Sequence, residues 1–99
     1  MSTPIRITIS HFHEIADLSD EQIREIFIRV GLDDMTIALK AAEERLKDRV
    51  LGTMSEKERE TLTEYMEFLG PMLLSDVEVG QRGIVEKFRS EPLSDDVFV

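Results

Sequence analysis

The stretch Leu69–Glu78, "LGPMLLSDVE", decides how this chain folds. Gly70 suits the left-handed position just past a helix end, and Pro71 cannot continue a helix because it lacks the N–H and crowds the preceding turn. Ser75, with Glu78 three residues on, then gives a helix-start signature: a hydroxyl for an orphan N–H and a carboxylate that reaches back. A stop and a fresh start this close predict a helix–Gly-Pro–helix corner.

The same punctuation continues on both sides of the corner. Upstream, "SEKERETLTEYMEFLG" starts with Ser55 and Glu58 and carries an apolar stripe of Leu62, then Tyr65 or Met66, then Leu69. Downstream, "SDVEVGQRGIVEKF" places Val77, Ile84, Val85 and Phe88 on an inward face. Gly80 and Gly83 inside it each cost about 1 kcal/mol relative to alanine. Close approach of a neighbouring helix is expected to compensate at both.

Further back, "SDEQIREIFIRVG" pairs Ser19 with Gln22 and follows with Ile23, Ile26, Phe27 and Val30, closed by Gly31. "LDDMTIALKAA" predicts a short helix from Asp33 or Asp34 with Ile37, Ala38 and Leu39 inward. "AEERLKDRVLGTM" predicts another with Leu46, Val50, Leu51 and Met54 inward. "HFHEIADL" places Phe12 and Ile15, with Ala16 and Leu18, on a short helical face.

The opening "PIRITIS" alternates Ile5, Ile7 and Ile9 with polar neighbours, the period of a half-buried strand or of an extended arm lying on a partner. This arm is expected to pair or pack, with Val97-Phe98-Val99 as its candidate partner. The pattern as a whole predicts an all-α fold, a compact bundle of about five or six short helices in which sequential neighbours pack together. Residues 1–8 form the arm, 9–90 the helical domain and 91–99 an acidic tail with an apolar end.

Composition agrees with one small domain: 99 residues, 41% of them hydrophobic. No apolar run reaches the roughly 18 residues of a membrane span, and the first residues lack the apolar block of a secretory signal. The chain has no cysteine, hence no disulfide framework and no thiolate metal site, and a cytoplasmic address is the simplest expectation. The formal net charge is −9, from 21 acidic and 12 basic side chains. Such a surface repels phosphate backbones and anionic membranes and attracts basic protein partners.

Catalytic chemistry finds no foothold in the sequence. His11 and His13 stand two apart beside Glu14, a spacing that faces one side only on a strand, and no further His or Cys completes a metal sphere. No catalytic, cofactor or metal residue is expected, and the chain is not expected to be an enzyme. Glu56, Glu60, Glu64 and Glu67 fall along one outer helical face. Spacing leaves two readings open, a solvated face or an electrostatic docking ridge with Lys57 among the acids.

The run "MTIALKAAEERLKDRVLGTMSEKERETLTEYMEFLGPMLLSDVE", residues 35–78, resembles the C-terminal domain of the flagellar motor switch protein FliG. The likeness lies in Ala38-Leu39-Lys40, Thr53-Met54-Ser55, Gly70-Pro71-Met72-Leu73-Leu74 and Asp76-Val77-Glu78, in that order and spacing. Upstream "FHEIADLSDEQI" and the terminal "DDVFV" extend it.

The resemblance implies an armadillo-like rotor domain. Its charged helix, here Glu56 to Leu69, would face the cytoplasmic loop of the stator, where ion flow becomes torque. Family positions of that contact fall on Lys40, Lys57, Glu64, Tyr65 and Leu73. Lys40 keeps its charge, Lys57 replaces an arginine and Glu64 an aspartate, whereas Tyr65 replaces an acid and Leu73 the arginine of "GPVR". The hinge motif Met-Phe-x-Phe corresponds to Ile9-Ser10-His11-Phe12 and keeps only its last residue. The family's membrane-ring and middle domains do not fit before Ile9, so a torque-facing module without its mounting is expected.

The partners implied are the stator loop, other switch-complex subunits and a further copy of the chain, at the cytoplasmic face of the flagellar basal body. Nucleic acid and membrane insertion are not. The departures at Tyr65, Leu73 and the hinge motivate a second reading, an adaptor that reuses the fold away from the motor.

Overall fold

The computed structural model describes residues 5–89. It contains a 3-10 helix, Phe12–Asp17, and five α-helices: α1 (Asp20–Val30), α2 (Leu32–Leu39), α3 (Glu44–Gly52), α4 (Glu56–Leu69) and α5 (Leu74–Phe88). The all-α bundle expected from the helix punctuation is what forms. Residues 91–99 and the proposed Val97-Phe98-Val99 contact lie outside the described residues.

Both reciprocal caps read from the sequence are made. The Gln22 N–H donates to the Ser19 hydroxyl at 3.2 Å while the Ser19 N–H donates to the Gln22 side chain at 3.0 Å, opening α1. The Ser55–Glu58 pair repeats this at 3.1 and 2.9 Å to open α4. Each exchange satisfies two donors that a helix start otherwise leaves bare.

The α2 start departs from expectation. Gly31, at φ 95°, is both the C-cap of α1 and the N-cap of α2, so α2 begins at Leu32 rather than at Asp33 or Asp34. A positive φ is open to glycine at little cost; it lets one helix follow another with no spacer. Met35 and Thr36 are buried in the core beside Ala38 and Leu39, and Ile37 is only half-buried. Thr36 is tolerated inside because its hydroxyl donates to the Leu32 carbonyl at 2.7 Å.

The start of α5 is also corrected. Leu73, not Ser75, is the N-cap, and its carbonyl accepts from the Asp76 and Val77 N–H groups at 3.0 and 3.2 Å. Ser75 therefore sits within the first turn, not ahead of it. The corner closes through Gly70 at φ 64°. Val77, Ile84, Val85 and Phe88 are buried, as the stripe predicted. At Gly80 a Cβ would meet Ile37 at 3.5 Å, an ordinary contact with α2, while Gly83 faces open space. The close approach expected at Gly83 is thus not made, because that face of α5 looks to solvent.

α2 stands at the centre, packed against α1, α4 and α5, while α3 lies on the 3-10 helix and α1. Residues 5–9 lie against the helices. Ile9 is buried and its N–H donates to the Phe88 carbonyl at 3.1 Å, while the Gln22 side chain donates to the Arg6 carbonyl at 2.9 Å. Arg49 on α3 donates to the Ala16 carbonyl at 3.2 Å, to the Leu18 carbonyl, and to Asp20 at 2.7 Å. One side chain thereby ties α3 to the turn that leads into α1.

α4 is the loosest attachment, since Leu62 is its sole buried side chain. Leu62→Ala is expected to lower stability by roughly 2–5 kcal/mol in urea denaturation, the range for a large-to-small core change. Amide exchange in α4 should accelerate ahead of that in α5; equal acceleration in both would mean that α4 is not separately tethered.

Candidate functional site

A helix that buries one leucine presents most of its circumference to solvent. α4 is that helix, anchored at its N-terminus by the Ser55–Glu58 cap and by Arg24 of α1, which grips Glu58 with two bonds of 3.0 and 3.2 Å. The Ser55 N–H, then the Arg24 guanidinium, holds the Glu58 carboxyl below its ordinary range. In the same way the Ser10 and His11 N–H groups lower Glu14. Arg24 also lies over the Phe27 ring, 5.6 Å from its centre.

Seven residues make nearly two helical turns, so Lys57 and Glu64 stand almost in line on α4, with Thr61 between and Phe68 beyond. Lys57 and Glu64 are both exposed, and among the described residues neither enters an ion pair. Glu56, Glu60, Glu64 and Glu67 border one shallow surface with Arg59 and Thr63, which places the four acids on the shared outer face read from their spacing. On the other flank Lys57 and Thr61 edge a groove floored by Phe27 and Leu32.

Tyr65 is half-buried and stacks on Phe68 with ring centres 6.2 Å apart. Leu73, just past the corner, is 70% exposed. Lys40 is the C-cap of α2 and half-buried. Of the five positions singled out in the sequence, Lys57, Glu64 and Tyr65 therefore share α4, Leu73 caps the next helix, and Lys40 stands apart on α2.

Two residues of this surface escaped the sequence reading. Phe68 is 82% exposed and Leu74 is 60% exposed. Phe68 did carry a signal, because it falls out of phase with Leu62, Met66 and Leu69. The Arg24–Glu58 link carried none, since its partners are distant in sequence. His11 and His13 are exposed and stacked, ring centres 5.5 Å apart. Among the described residues no group of three or more His, Cys, Asp or Glu is placed to hold a metal ion.

Comparison with known proteins accounts for this helix arrangement. The family model of the FliG C-terminal domain matches residues 1–97. This chain belongs to the FliG C-terminal domain family. It is 40% identical to the flagellar motor switch protein FliG of Bacillus subtilis over 78 residues, covering 79% of this chain and 23% of that protein. It is 32% identical to the Thermotoga maritima protein of the same name over 89 residues, covering 90% of this chain and 27% of that one.

The fold matches a crystallised FliG fragment from Helicobacter pylori with a TM-score of 0.75 at 35% identity, over 80% of this chain and 35% of that one. It also matches full-length FliG from Aquifex aeolicus with a TM-score of 0.75 at 37% identity, over 80% of this chain and 25% of that one. The chain thus spans about a quarter of the length of the curated FliG relatives it matches. FliG is a structural protein of the motor switch; the family is not one of enzymes.

A pH prediction follows from Glu58. A carboxyl lowered by folding binds fewer protons in the native than in the unfolded chain, so its contribution is complete above the unfolded value. It is lost as pH falls through the lowered folded value. Acid titration of stability should therefore be shallower in Glu58→Gln than in the parent over the carboxylate range. Parallel curves would contradict a stabilising role for this carboxylate.

Proposed function

We propose that this chain is a rotor-side module of the bacterial flagellar motor switch, working at the cytoplasmic face of the basal body. It meets the cytoplasmic loop of a stator, or other switch subunits, through α4. The observation that carries the reading is the pair Lys57 and Glu64, exposed in line on a weakly buried helix and with no ion-pair partner among the described residues. Charges left unpaired among the described residues are available to a partner at no cost in contacts there. Family membership supplies the setting.

Exposed ion pairs contribute only roughly 0.2–1 kcal/mol each. A single contact of this kind exchanges quickly. Many copies in a ring would give the summed strength and rapid stepping that a rotor needs.

An adaptor outside the motor remains the second reading, favoured by the apolar Tyr65 and exposed Leu73 where the family carries charge. One experiment separates the two. Combined Lys57→Glu and Glu64→Lys, made in the organism of origin, is expected to impair motility or stator binding while circular dichroism keeps the parent helicity. Unchanged motility in a folded variant would turn the reading to the adaptor.

A further inference from the structure

Exposed large apolar side chains are not spread evenly over this molecule. Phe68, Leu73 and Leu74 fall within residues 68–74, at 82, 70 and 60% exposure, and Tyr65 stacks on Phe68 one turn back. All four belong to the corner between α4 and α5, and none is needed for the core cluster. Soluble proteins seldom leave apolar side chains grouped on one surface unless something covers them.

The charge around this corner has a single sign. From Glu60 to Gln81 the chain carries Glu60, Glu64, Glu67, Asp76 and Glu78 and no lysine or arginine. All five carboxylates are exposed. An apolar stretch flanked along the chain only by exposed acids selects its occupant by charge. A second copy of this corner would bring acid against acid, and an anionic lipid surface or nucleic acid would be repelled likewise.

From these observations we infer that the Tyr65–Phe68–Leu73–Leu74 corner docks a basic amphipathic helix of a partner protein. The helix lays an apolar stripe on the two rings and the two leucines, with lysines or arginines over Glu64, Glu67 and Asp76. The inference deepens the reading of α4 as a protein-contact face and rests on it, but it does not depend on which machine that face serves. The aromatic pair supplies the anchor, since rigid aromatic side chains give contact area at low entropic cost. The acidic rim supplies orientation and rate of encounter.

Tyr65 provides its own readout, being the chain's one tyrosine in a sequence without tryptophan. The full chain is titrated with a synthetic helix bearing leucine at i, i+3, i+4 and i+7 and lysine elsewhere, and with a twin bearing glutamate for lysine. The lysine helix should change Tyr65 fluorescence saturably, and the glutamate twin should bind at least about tenfold more weakly. Phe68→Ser and Leu74→Ser should each weaken the lysine helix about tenfold or more. Ile28→Ser, at an exposed apolar site on α1, should leave it unchanged.

Absence of binding, equal binding of both helices, or equal effects at Phe68 and Ile28 would each overturn the inference. So would a dimer in sedimentation that Phe68→Ser returns to monomer, because the occupant would then be a second copy. Failure here is distinguishable from failure of the motor reading. The titration can fail while Lys57→Glu with Glu64→Lys still impairs motility, or succeed while motility is untouched.

Discussion

Gly31 holds α1 and α2 nearly end to end at φ 95°, and the rest of the fold is arranged around the helix this produces. α2 has eight residues, too few for a helix to be stable alone in water. It persists because Met35, Thr36, Ala38 and Leu39 are enclosed on several sides by α1, α4 and α5. A helix buried around so much of its circumference acts as a post. The neighbours need each bury only one stripe against it, and their outer faces remain free.

That division of labour connects packing to function. α1 and α5 bury several residues each, whereas α4 commits Leu62 and leans on a cap and on the Arg24–Glu58 pair for the rest. Its charged and aromatic residues are then available outward without loss to the core. The stretch past Gly70 extends this face, since Pro71 ends α4 and Leu73 caps α5 in the open. A module of this kind packs its core around α2 and offers contact on one flank, as the proposed motor reading requires.

Much of the fold was legible because its signals are local. Ser19 with Gln22 and Ser55 with Glu58 are reciprocal caps that need no tertiary information, and both form. The stripes of α1, α3 and α5 follow helical periodicity, and their residues are buried except Phe27 and Leu51, which are half-buried. The errors arise where backbone geometry overrides side-chain chemistry. Gly31 serves two helices at once, and the Leu73 carbonyl closes the α5 turn before Ser75 can cap it.

Of the surface, spacing placed Glu56, Glu60, Glu64 and Glu67 on one face, and the resemblance proposed Lys40, Lys57, Glu64, Tyr65 and Leu73 as contacts. Phe68 was overlooked although it lies out of phase with the Leu62–Met66–Leu69 stripe that the sequence already showed. Arg24–Glu58 joins residues 34 apart in the chain, a contact made only once α1 and α4 are both packed on α2.

The central claim is that the outer face of α4 is where this family member meets a motor partner. A photo-crosslinking residue at Thr61, between Lys57 and Glu64, tests it in living cells of the source organism, with Asp33 as the off-face control. The account predicts crosslinks from position 61 to a stator loop or a switch-complex subunit, and none of these from position 33. Crosslinks from both positions alike, or from position 61 only to proteins outside the motor, would contradict it.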